Sequence, residues 1–75
     1  MHIYHLVNHT NVPYDSYDAF VIIATSEEKA RAIANEESAD EGRLWGEREL
    51  ASCTVIGRAR SGASEGIVVG SFNAG

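Results

Sequence analysis

The sequence predicts an α+β domain in the order β-β-α-β-β: about four strands, mainly antiparallel, with one helix packed on a face of the sheet. Three observations predict it. Ala19-Phe20-Val21-Ile22-Ile23-Ala24 is a continuous apolar run rich in β-branched residues, the profile of a central strand covered on both faces. Thr25-Ser26-Glu27-Glu28 follows at once as a helix start, with a helical pattern running to about Ser38. Two further strand-like stretches then flank the glycine-containing segment Arg60–Gly66.

Met1 to His9 reads as the first strand, because β-branched, aromatic or apolar residues occupy both alternating sets of positions. His9 to Asp18 reads as loop: Pro13 has no N–H to donate and pushes Val12 into an extended conformation, and Asp15, Ser16 and Asp18 are turn formers. At the helix start Thr25 and Glu28 have capping-box spacing, and Ser26 competes as N-cap. Glu27 and Glu28 then lie in the first turn, where the macrodipole favours negative charge. Ala30, Ile33, Ala34 and Glu37 fall on one stripe, whose apolar part is narrow and built from small residues, which brings the helix close to a sheet. Glu28, Arg31, Asn35 and Glu36 form the opposite face. Asp40-Glu41-Gly42 ends the helix, and Glu47 to Ala51 fits either a helical turn or a lead into the next strand. Cys53 to Ala59 alternates as a strand, with Thr54, Ile56 and Arg58 on one face. Arg60 to Gly66 reads as a hairpin loop, and Ile67 to Phe72 as the last strand.

Seventy-five residues make a single small domain, residues 1–75, whose core rarely supplies more than roughly 3–5 kcal/mol. The 44% hydrophobic content excludes a wholly disordered chain, and no run approaches the roughly 20 apolar residues of a membrane span. Residues 1–25 show no basic segment followed by a long apolar one, so a cytoplasmic protein is expected. The formal charge of −5 is uneven. Residues 1–42 carry eight acids against Lys29 and Arg31, a net of −6, whereas residues 43–75 carry four Arg against three Glu. Proteins that hold nucleic acid concentrate Lys and Arg, so direct binding of DNA or RNA is disfavoured. An acidic surface instead suits a basic partner, or simply keeps a small protein in solution.

No catalytic set stands out. His2 and His5 face opposite ways in a strand, and His5 to His9 spans roughly 13 Å at about 3.3 Å per residue, unlike the ligands of one metal. No metal or other cofactor is expected. Cys53 is the single cysteine, in an apolar strand, which favours a small buried hydrophobe over a nucleophile. Neither phosphate-binding glycine loops nor Ser-His-Asp or HExxH patterns occur. Asp15 and Asp18 flank Ser16 and Tyr17, with Tyr14 before them: turn chemistry, with tyrosines that suit an interaction surface. Trp45, between Arg43 and Arg48, fits either a core plug or an interface hot spot.

Tyr14-Asp15-Ser16-Tyr17-Asp18, the run Ala24 to Ile33 and the ending Gly66 to Gly75 resemble a group of small bacteriophage and prophage proteins of unassigned function. The layout and acidity more loosely resemble several anti-CRISPR proteins. The resemblance implies a non-enzymatic accessory protein of the host cytoplasm that binds and inhibits a host protein, such as a nucleic-acid-binding defence complex. Its expected contact surface is Glu27, Glu28, Glu36 and Glu37 on the helix with Asp40 and Glu41 beyond it, anchored by Tyr14, Asp15, Tyr17, Asp18 and Trp45. The alternative is a self-associating module, since a thin core and open sheet edges favour a homodimer.

Overall fold

The computed structural model describes residues 1–10, 16–38 and 43–73. Strands β1 (His2–Asn8), β2 (Ser16–Ala24), β3 (Ala51–Arg58) and β4 (Gly66–Asn73) form one sheet in the order β3-β1-β2-β4. Every neighbouring pair is antiparallel. Helix α1 (Glu27–Glu37) and a short 3₁₀ turn at Leu44–Gly46 are the other elements among the described residues. The α+β class and element order match the sequence reading.

The two most apolar strands take the centre. On the helix side Tyr4, Leu6, Phe20, Ile22 and Ala24 are buried and meet Ala30, Ala34, Trp45 and Ala51. On the other side the register stacks three rows across the sheet: Gly57-Ile3-Ile23-Gly66, Thr54-His5-Val21-Val69 and Ser52-Val7-Ala19-Ser71. In β1 and β2 these positions are only partly buried, so the expected cover on both faces is complete on one face alone.

Three other expectations are corrected. Ser16, Tyr17 and Asp18 belong to β2 rather than to a loop. Their turn propensity is overridden because Ser16 and Tyr17 pair with Asn73 and Phe72 of β4, with a bulge at Asp18. Next, β3 and β4 are not a hairpin: they occupy opposite edges of the sheet, and Ala59–Glu65 crosses between them. Three strand spacings are about 14 Å, well within the roughly 23 Å that seven residues can span. The β1–β2 hairpin has two free edges, and each late strand takes one. Finally, the face alternation of β3 breaks at Ile56. Tyr4 pairs with Val55 and Ile3 with Gly57, so Ile56 is an extra residue and Thr54 and Arg58 fall on opposite faces.

Ser26, not Thr25, is the N-cap of α1: its backbone is extended and its hydroxyl accepts from the Lys29 N–H at 3.1 Å. The helix ends at Ser38, whose N–H and hydroxyl both donate to the Ala34 carbonyl. Residues 47–51 resolve into a turn, with the Leu50 and Ala51 N–H groups donating to the Glu47 carbonyl.

An aromatic row fixes the β2–β4 seam. Tyr17 stacks on Phe20 with centroids 4.6 Å apart, tilts against Phe72 at 5.0 Å, and Phe20 meets Trp45 edge-on at 4.9 Å. Gly70 makes room for this row, because a β-carbon there would sit 3.0 Å from Tyr17 Cε1 and 3.3 Å from Phe20 Cε1. A strand glycine normally gains from a β-branched replacement. Here Gly70→Val is expected to lower stability by about 1–3 kcal/mol, read as the urea midpoint, because Tyr17 is held from both sides and cannot retreat.

Candidate functional site

The helix period of 3.6 decides which acids are available. Positions 27, 30, 31, 34 and 38 share the inward side. Ala30, Arg31, Ala34 and Ser38 are buried there, and Ile33 packs at its margin. Arg31 is therefore corrected from the solvent face to the core side, at 8% exposure. Its Nε donates to Glu27 Oε2 at 2.8 Å, and its Nη1 donates to the carbonyls of Trp45 and Ala51, both at 2.8 Å. Small neighbours, Ala30 and Ala34, leave space for the guanidinium against the sheet. Asn35 also turns inward, its Oδ1 accepting from the Trp45 N–H at 3.1 Å.

Glu27 is consequently not a free surface charge. It answers Arg31 and also lies 3.8 Å from Arg48 Nη2. Glu37 is exposed but accepts from the Tyr17 hydroxyl at 3.1 Å. Glu28 and Glu36 stand on the outer side of α1, eight residues apart and so about 12 Å along the axis. Lys29 beside them lies 3.9 Å from Glu65. The exposed acidic strip of the helix is thus Glu28 and Glu36, with Glu37 half a turn around the helix from Glu28, on the flank beside Tyr17.

The remaining expected contact residues divide differently. Tyr17 is half-buried in the aromatic row with its hydroxyl at the rim, and Asp18 is half-buried at the β2 bulge. Tyr14, Asp15, Asp40 and Glu41 lie outside the described residues. Trp45 is corrected: with no exposed surface it packs in the core against Phe20, so it presents nothing to a partner. The 3₁₀ turn tucks the ring under the helix, where Arg31 and Asn35 hold its backbone.

Burial, reinforced by the Glu27 charge, pushes the Cys53 thiol up to about 11 against a smaller opposing pull from Arg31. At neutral pH it is a thiol, the poorly nucleophilic form. His9 Nε2 lies 2.9 Å from Ser52 Oγ, and the His2 ring lies edge-on to Tyr4. Among the described residues no three His, Cys, Asp or Glu side chains converge on a point where a metal ion could sit. No helix of these residues is long and apolar enough to cross a membrane.

The geometry suits docking: a helix capped at its start and anchored by a buried arginine displays exposed carboxylates on its outer side. Compared with models of known protein families, with curated proteins and with solved structures, the chain matches none.

Proposed function

We propose that the protein is a non-enzymatic phage or prophage accessory protein that binds a basic host protein through the acidic strip of α1. The sharpest form of this reading is an anti-CRISPR or other anti-defence inhibitor. It would act in the host cytoplasm by occupying a nucleic-acid-binding groove. The observation that carries it is the placement of Glu28, Glu36 and Glu37 at the surface of a fixed helix, while Glu27, the acid with cationic partners, is turned toward the core. Exposed carboxylates carry the sign of a phosphate backbone, and they steer association with a positive cleft. The phage setting rests on the resemblance read in residues 14–33 and 66–75 alone.

The test uses Glu28→Lys with Glu36→Lys. The first substitution opposes the helix dipole and the second favours it, so stability should change little. Immobilised wild-type protein should retain a basic protein from host lysate at low salt and release it as salt rises through about 0.3 M. Nucleic acid should compete for that protein. The double variant should retain at least about tenfold less. Equal retention by a folded double variant, or no competition by nucleic acid, would overturn the reading.

A further inference from the structure

The helix and the 3₁₀ turn both pack on one face of the sheet, and no described element covers the other. We infer that this second face is where another copy of the chain packs, sheet against sheet, as a symmetric homodimer. The inference does not rest on the acidic strip, which lies on the opposite side of the molecule.

The first support is chemical. The uncovered face is mostly apolar along its middle, with Ile3, Val7, Val21 and Ile23 on the central strands, His5 among them on β1, and Val69, 54% exposed, beside them. Gly, Ser and Thr lie toward the margins, and the three registered rows contain no Asp, Glu, Lys or Arg. For a chain of net charge −5 this matters. Two copies meeting here keep their acidic helices on the two outer surfaces, whereas contact through α1 would set like charges together.

Shape agrees. His5, Ala19, Phe20, Val21, Val69 and Ser71 line an open hollow of about 160 Å³, room for an aliphatic side chain of the facing sheet. Sheets stacked face to face interdigitate in this way about 10 Å apart.

Area is sufficient for a modest interface. Four strands at about 4.8 Å spacing and about 25 Å long present roughly 480 Å² per copy. The pair would bury about 1,000 Å², the lower bound for a specific contact, so the dimer should be of micromolar strength.

The sheet edges are less suited to self-pairing. Each edge strand carries an extra residue opposite its neighbour, Ile56 in β3 and Val68 in β4, and such bulges twist an edge away from a flat partner. The face has no comparable guard.

Sedimentation velocity of the full chain across roughly 1–300 µM should show a shift from 8.1 kDa toward about twice that mass. Val21→Lys sets two like charges near the centre of the symmetric contact, and should weaken self-association by at least about tenfold. Val69→Lys, at an already exposed edge position, should do the same with its circular dichroism unchanged, so the inference remains testable if Val21→Lys does not fold. Glu28→Lys with Glu36→Lys should leave dimerisation intact, which separates this surface from the helix strip. A wild-type chain that stays monomeric at the highest concentration would overturn the inference. A dimer that persists in Val69→Lys would also do so, pointing to edge pairing instead.

Discussion

Arg31→Ala is expected to destabilise the protein by about 3 kcal/mol, lowering the melting temperature by roughly 12–20 °C. The guanidinium is the one buried charged side chain among the described residues, and all three of its hydrogen bonds are 2.8 Å. Two of them end on backbone carbonyls, of Trp45 and Ala51, so the arginine ties the 3₁₀ turn and the start of β3 to the helix. Removing it takes this donor from those carbonyls and from Glu27, and each buried group left unsatisfied costs about 1–3 kcal/mol, reduced where water enters. Arg31→Lys should recover less than half, because one ammonium cannot reproduce a planar fork aimed at three acceptors. Arg48→Ala is the control. Its side chain is 81% exposed and its contact with Glu27 is 3.8 Å, so a change below about 0.5 kcal/mol is expected. Urea unfolding followed by circular dichroism measures all three. An Arg31→Ala midpoint close to wild type would show that the turn is held by packing alone.

Arg31 also shows how far residue pattern reaches into structure. The helix itself was legible, because Ser26, two acids in the first turn and small residues at 30 and 34 all act locally. Its inward face was legible only in part. An arginine is ordinarily assigned to solvent, and what reverses the assignment is a pair of carbonyls 14 and 20 residues away. Strand identity was likewise local and readable, but strand partners were not. The turn residues between β3 and β4 state that the chain reverses, and the choice of edge depends on which sides of the β1–β2 hairpin remain free. Ser16 to Asp18 misled for the same reason, since a partner strand more than 50 residues later draws turn formers into the sheet.

The charge reading sharpens in a similar way. The acidic first segment is not a uniform surface: Glu27 is engaged by Arg31 and Arg48, and Glu37 by the Tyr17 hydroxyl. What α1 presents to solution is Glu28 and Glu36 on its outer side and Glu37 on the flank beside Tyr17, while the registered rows on the far face of the sheet contain no Asp, Glu, Lys or Arg. In the proposed dimer the two strips point in opposite directions. Each copy would then engage its own basic partner, and avidity would arise only where a target offers two such clefts on a common support.

Trp45→Ala should be the most damaging substitution, costing about 3–5 kcal/mol and leaving the chain largely unfolded at 25 °C. Trp45 is the largest of the side chains that have no exposed surface, and it closes the core between the helix and Phe20. Its removal empties the volume on which the helix, the 3₁₀ turn and β3 converge, and a sheet of this size has no second core to fall back on. Trp45→Phe should cost much less, about 1–2 kcal/mol. The indole Nε1 is buried with no hydrogen-bond partner among the described residues, so phenylalanine gives up ring volume but no polar bond, and it removes a desolvated N–H. Because Trp45 is the sole tryptophan, fluorescence of the wild type should be blue-shifted when folded and move to the red at the unfolding midpoint. The two variants would be followed by circular dichroism. A folded, cooperative Trp45→Ala protein would mean that the ring lies at the surface, which would return it to the set of partner contacts.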